Sequence, residues 1–234
     1  IGAQTAMLFA RHHAMVAVNC RHQADRGADV VKRIEASGGR AMLVQADVAD
    51  AKQVERMVAG VKDAYGSVDI LVNNAAPPPA PSPFRDTSWE KWDSDLNVIV
   101  RGTHHCIMAV LDGMVAKKFG RIINIVSTYA LGAPPVQLAS YVTAKSGVVG
   151  LSKALASELG SFGITVNMVA PGLTDTEMIS YLPQRYRDVI AHQTPLKRIA
   201  TPVDVAKAVL FLASGAADFV NGAMIPVCGG HTMN

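Results

Sequence analysis

The chain has 234 residues, half of them hydrophobic, and a net charge of +3 from 22 Lys and Arg against 19 Asp and Glu. That length suits one domain with one sizeable core. The basic residues are dispersed, Lys117 and Lys118 being the longest cluster, which argues against a nucleic-acid or membrane-surface footprint. Cys20, Cys106 and Cys228 are too far apart in sequence for a disulfide framework or a zinc site. With no secretory signal and no apolar run of membrane-spanning length to be read, a cytoplasmic protein is expected.

The elements alternate along the chain. The first residue is Ile1, so a longer natural chain is expected. "AMVAVN" (14–19) and "AMLVQA" (41–46) read as strands. A helix follows over 51–65, where Val54, Met57, Val58 and Val61 share one face behind an N-cap at Asp50. "VDILVN" (68–73) is a third strand, followed by the proline-rich "APPPAPSP" (76–83). Trp89 and Trp92 stand one helical turn apart and read as a packing face. The histidine pairs at 12–13 and 104–105 point in diverging directions on a helix and have no third partner nearby, so they read as ordinary histidines. "RIINIV" (121–126), "ITVNMV" (164–169) and "AMIPV" (223–227) complete six strands. Before the last of these, Thr201, Pro202 and Asp204 mark a helix start. The strands are nearly all apolar, the pattern of strands covered on both faces. Strand and helix in alternation predict a doubly wound parallel α/β sheet, single-domain and Rossmann-like, with helices on both faces. Ligands of such sheets sit beyond the carboxyl ends of the strands, where strand order reverses.

Tyr141 and Lys145 in "SYVTAK" lie four residues apart on one helical face. A phenol titrates near pH ~10. A cation ~4 Å away at an effective dielectric of ~20 would stabilise the phenolate by ~4 kcal/mol, about three pKa units. That expectation brings Tyr141 toward neutrality, where it can both give and take a proton. The Tyr-x-x-x-Lys spacing is weak evidence by itself. Together with "LVNNAA", "LNVIVRGT", "INIVST" and "VAPGLTDT" it is specific, and over essentially its whole length the chain resembles the short-chain dehydrogenase/reductase family, in particular its 3-oxoacyl-acyl-carrier-protein reductase-like members.

The resemblance implies an NADP(H)-dependent oxidoreductase that moves hydride between nicotinamide and a carbonyl or secondary alcohol. It assigns Tyr141 as acid or base on the substrate oxygen and Lys145 as its partner and holder of the nicotinamide ribose. Ser127 would donate a hydrogen bond to the carbonyl; counting back from Tyr141 the same role falls on Thr128, and Ser127 is preferred. Asn97 would relay protons. The family's opening strand and glycine-rich phosphate loop are represented here only by Ile1 and Gly2. The second family strand ends at Arg21 with no acidic residue, which favours a 2′-phosphate and so NADP(H), with NAD(H) possible. Further cofactor contacts fall by resemblance on Asp47, Val48, Asn74, Ala75, Pro171, Gly172, Thr174 and Thr176. Ala76 stands where the family has glycine, so an altered nicotinamide pocket is expected.

Residues 174–200 are too long for a tight connection, and by resemblance form a substrate lid. Arg185, Arg187 and Lys197 within it are candidates to meet an acidic carrier or carboxylate, or are simply solvated. The partners implied are a small-molecule or carrier-linked carbonyl substrate and further copies of the chain, in a homotetramer built on helices at 88–118 and 140–160. The alternatives are an NAD-dependent alcohol or sugar dehydrogenase on the same scaffold, or a catalytically silent nucleotide-binding member.

Overall fold

The computed structural model describes residues 1–233. The chain order is α1 (Gly2–Arg11), β1 (Met15–Cys20), α2 (Ala24–Ala36), β2 (Arg40–Gln45), α3 (Ala51–Tyr65), β3 (Ile70–Asn73), α4 (Trp89–Asp95), α5 (Gly102–Lys117), β4 (Gly120–Ile125), α6 (Ala139–Leu159), β5 (Ile164–Pro171), α7 (Gln184–Gln193), α8 (Pro202–Ala213) and β6 (Met224–Val227). Every strand pairing is parallel. The expected doubly wound single domain is the fold observed, and the local signals explain its boundaries. Asp50 Oδ1 accepts from the Gln53 amide at 3.1 Å to cap α3. Thr201 and Asp204 form a reciprocal capping box at α8, with Pro202 at its first position.

The sheet is in two pieces: β1 pairs with β2, and β3-β4-β5-β6 form a separate run. This qualifies the expectation of strands covered on both faces. β4 and β5 are buried at every residue, whereas β1, β2, β3 and β6 are only half covered. The difference is one of position, because β1 and β3 each present an edge without a strand partner, and β2 and β6 are outer strands.

On the central strands the pleat sends alternate residues to opposite layers. Ile122 joins Val54, Val58, Ile107, Val110 and Leu159 from α3, α5 and α6. Ile123 and Ile125 join Phe9, Val205, Val209 and Leu212 from α1 and α8. A third cluster, built from Ile99, Val126, Tyr141, Ala144, Val148 and Met168, lies at the carboxyl end of β4 and β5.

Helices α4 and α5 are continuous through a π-helical stretch, Leu96–Arg101. The whole run, Trp89–Lys117, is 29 residues and apolar enough to cross a membrane by length and composition, which corrects the expectation that no such run exists. Here it lies on the domain, with Ile99, Cys106, Ile107, Val110 and Met114 in the core. Gly102 permits its close approach, since a Cβ there would meet Val48 Cγ2 at 2.6 Å. Trp92 packs against Trp89 and, edge-on, against Phe84.

Candidate active site

One cleft of about 650 Å3 opens over the carboxyl ends of β1, β3, β4 and β5. At one end lie Asn19, Cys20, Arg21 and His22; its middle holds Asn74, Ala75, Ser127, Tyr141, Lys145 and Pro171. This is the edge where strand order reverses, and strand ends there supply backbone that no neighbouring strand consumes. Asn19 braces the β1 end, its side-chain amide bonding the Ala46 carbonyl at 3.3 Å and accepting from the Ala46 amide at 3.0 Å.

Of the residues singled out by sequence, Ile1, Arg21, Asn74, Ala75, Ser127, Tyr141, Lys145, Pro171, Gly172, Thr174 and Thr176 line this cleft. Gly2 stands just behind the wall, close enough that a Cβ would meet Asn74 Nδ2 at 3.0 Å. Gly172 is needed where β5 ends, because a Cβ would press within 2.8 Å of Cys228 Cβ. Between the two candidate carbonyl donors the geometry discriminates: Thr128 Oγ1 donates to the Pro171 carbonyl at 3.3 Å and is not on the wall, whereas Ser127 is.

Three of the expected residues stand off the cleft wall. Asp47 and Val48 do not line the cleft. Asp47 Oδ1 accepts from the Ala49 amide at 2.9 Å, its other oxygen lies 3.5 Å from Arg21 Nη1, and Val48 packs under Gly102, its carbonyl 3.1 Å from His105 Nδ1. Asn97 is also off the wall. It sits in the π-helical stretch, where Ile99, two residues on, is the one driven into the cluster around Tyr141. Ala76, standing where the family has glycine, lines the cleft with a negative φ and packs on the cluster that contains Tyr141.

The Tyr141–Lys145 pair also departs from expectation. Lys145 is buried, and its Nζ donates to the Ile125 carbonyl at 2.7 Å while lying 5.8 Å from the centroid of the Tyr141 ring. Burial lowers its pKa to about 8. Burial pushes the Tyr141 phenol up to about 12, opposed by the neighbouring Ser127 hydroxyl and reinforced by Tyr129, Asp95 and Tyr181. The acidification expected from spacing alone is therefore not what the folded pair shows. Loss of water disfavours both charged forms, and the ammonium is turned to a carbonyl rather than to the phenol.

Two features around the pair carry no sequence motif. Asp95 is fully buried. Its carboxylate takes both oxygens to Lys91 Nζ at 2.7 Å and accepts from Ser140 Oγ at 2.6 Å, immediately before Tyr141. Tyr129, Tyr181 and Tyr186 come to the cleft from three separate segments. The i,i+4 spacing of Lys91 and Asp95 was visible; that the pair closes on Ser140 of another helix was not.

A family model described as enoyl-(acyl carrier protein) reductase matches residues 1–232. Among curated relatives, the chain is 40% identical over 233 residues to the (2S)-[(R)-hydroxy(phenyl)methyl]succinyl-CoA dehydrogenase subunit BbsD of Thauera aromatica, covering 100% of this chain and 92% of that one. It is 39% identical to the 3-oxoacyl-[acyl-carrier-protein] reductase FabG of Staphylococcus epidermidis, covering 100% and 95%. Among solved structures, a gluconate 5-dehydrogenase from Burkholderia cenocepacia, in complex with NADP and tartrate, superposes with a TM-score of 0.91 at 31% identity, covering 97% of this chain and 89% of that one. The chain therefore belongs to the short-chain dehydrogenase/reductase family and is an oxidoreductase acting on carbonyl or CH–OH groups.

Proposed function

We propose that the chain reduces a ketone with Tyr141 as proton donor, Ser127 as a second donor to the carbonyl oxygen, and Lys145 as the buried cation behind them. The observation that carries this reading is the convergence of those three side chains on one cleft wall over the strand ends. When bound, the dinucleotide supplies the hydride. Arg21 would hold its 2′-phosphate, since an exposed guanidinium only 3.5 Å from Asp47 retains free donors. Asn74, Pro171, Gly172, Thr174 and Thr176 would line its nicotinamide end. A neutral Tyr141 suits reduction: as negative charge grows on the substrate oxygen, the phenol gives up its proton, with the buried Lys145 one helical turn behind it. The segment 174–200 supports a lid role, its two ends tied by the Asp175 amide to the Ala200 carbonyl at 2.8 Å and the Ala200 amide to the Leu173 carbonyl at 3.0 Å.

Support for a homotetramer comes from the 29-residue helix and α6, whose exposed residues include Met108, 55% exposed, and the small Gly147 and Gly150 among charged neighbours such as Arg101, Asp112 and Lys153. A cytoplasmic location fits a chain with three unpaired cysteines. The test of the activity is Tyr141→Phe. Ketone-dependent NADPH oxidation should fall at least ~1000-fold while NADPH affinity stays near wild type; substantial remaining turnover would remove Tyr141 from the proton step.

A further inference from the structure

From the substrate half of the cleft we infer a preference for an uncharged, apolar carbonyl compound, aryl or branched alkyl, over a keto acid or a polyhydroxylated sugar acid. The inference rests on the oxidoreductase reading and adds its substrate class. Beyond Tyr141 the wall is made by Leu138, Met178 and Leu182 with the rings of Tyr129, Tyr181 and Tyr186. Among the described residues no Asp or Glu lines the cleft, and its basic side chains are Arg21 and His22 at the far, β1 end and Lys145, already given to the Ile125 carbonyl. Two of the three lid cations that could have met a carboxylate are engaged elsewhere, and the third, Arg185, is exposed and off the cleft wall. Arg187 donates to the carbonyls of Ile179, Ser180 and Leu182 at 3.1 to 3.2 Å, and Lys197 to that of His192 at 2.8 Å. Arg26 pairs with Glu177 across the lid's outer surface. A carboxylate entering this space would lose water with no cation to replace it. An aromatic ring would stack among three others. Burial raises the Tyr129 phenol to about 12 and raises that of Tyr181 as well, so these two add hydrogen-bond donors but no charge.

The experiment compares ethyl benzoylacetate, benzoylacetate and 5-keto-D-gluconate as substrates of the full-length protein, with NADPH binding followed separately by nucleotide fluorescence. The ester should exceed both acids in kcat/KM by about 100-fold. Leu182→Arg should narrow the gap between ester and benzoylacetate without changing NADPH affinity. If NADPH binds and either acid is the better substrate, the substrate class is overturned and the oxidoreductase reading stands. If NADPH does not bind and no ketone is reduced, both fall.

A separate observation concerns Asp95. The geometry points to Asp95 as a positioning residue that fixes the first turn of α6, and with it Tyr141, through Ser140. A wholly buried carboxylate accepting at 2.6 Å from Ser140 Oγ ties the first turn of α6, whose N-cap residue Leu138 makes no side-chain cap, to a neighbouring element. The groups facing Tyr141 are Asp95 from α4, Tyr129 from the turn after β4, Tyr181 from the lid, and Lys145 on its own helix. Asp95→Asn keeps the shape and removes one negative charge. It should cut kcat about tenfold with little change in KM, and displace the pH profile of alcohol oxidation downward by about half a unit, because the phenol then releases its proton more readily. Ser140→Ala should reproduce the loss in kcat without the displacement. Wild-type kcat and pH profile in Asp95→Asn overturn the assignment; if that variant does not fold, wild-type kcat in Ser140→Ala does so.

Discussion

Lys145 shows how burial at a single residue sets a pH response. Its pKa falls from 10.5 to about 8 on folding, so between those values the unfolded chain binds more protons than the folded one. The contribution of this group to stability therefore increases as pH rises from about 8 to 10.5. Cys106, raised from 9.0 to about 11, and Tyr141, raised from 10.0 to about 12, act with the opposite sign above their unfolded values. The clean window is pH 8 to 9. Urea unfolding at those two pH values should show the wild type gaining stability relative to Lys145→Met; a constant difference would mean that the ammonium is not desolvated. Tyr141 and Lys145 were legible as a pair from their spacing. Their charge states were not, because the carbonyl of Ile125, 20 residues earlier, takes the ammonium.

At the scale of elements, the capping signals were the most legible part of the sequence. Asp50 and Thr201 both do what their local context requires, since an N-cap bond spans only three residues. Thr201→Ala should cost about 1 kcal/mol and lower the Tm by about 2–4 °C without altering NADPH binding, as read by calorimetry and fluorescence. Arg198 holds the Asp204 carboxyl well below the usual carboxylate range by two hydrogen bonds, at 2.6 and 3.0 Å. Asp204's share of the capping box is thus kept through neutral pH and lost only in acid. The π-helical stretch was not legible: Asn97 was chosen by resemblance, and nothing in the sequence marked Leu96–Arg101 as π-helical, with Ile99 in the cluster around Tyr141.

For the whole molecule, the open question is how the outer faces of the 29-residue helix and α6 are covered. Burying Met108 and the small-residue face of α6 against other copies would remove apolar surface from water. The protein should run as a tetramer of 24.7 kDa chains in size-exclusion chromatography with light scattering. Met108→Glu should shift it toward smaller species; a monomeric wild type would remove the tetramer proposal.

Order along the chain, strand and helix identity, caps and the Tyr141–Lys145 spacing were determined by the sequence alone, because each rests on contacts within a few residues. Tertiary structure alone decided that Ser127 rather than Thr128 faces the cleft, that Asp47 and Val48 turn away from it, that Asp95 reaches Ser140, and that three tyrosines share one wall. Those outcomes join residues tens of positions apart. They depend on which side chains lose water together, which no local pattern encodes.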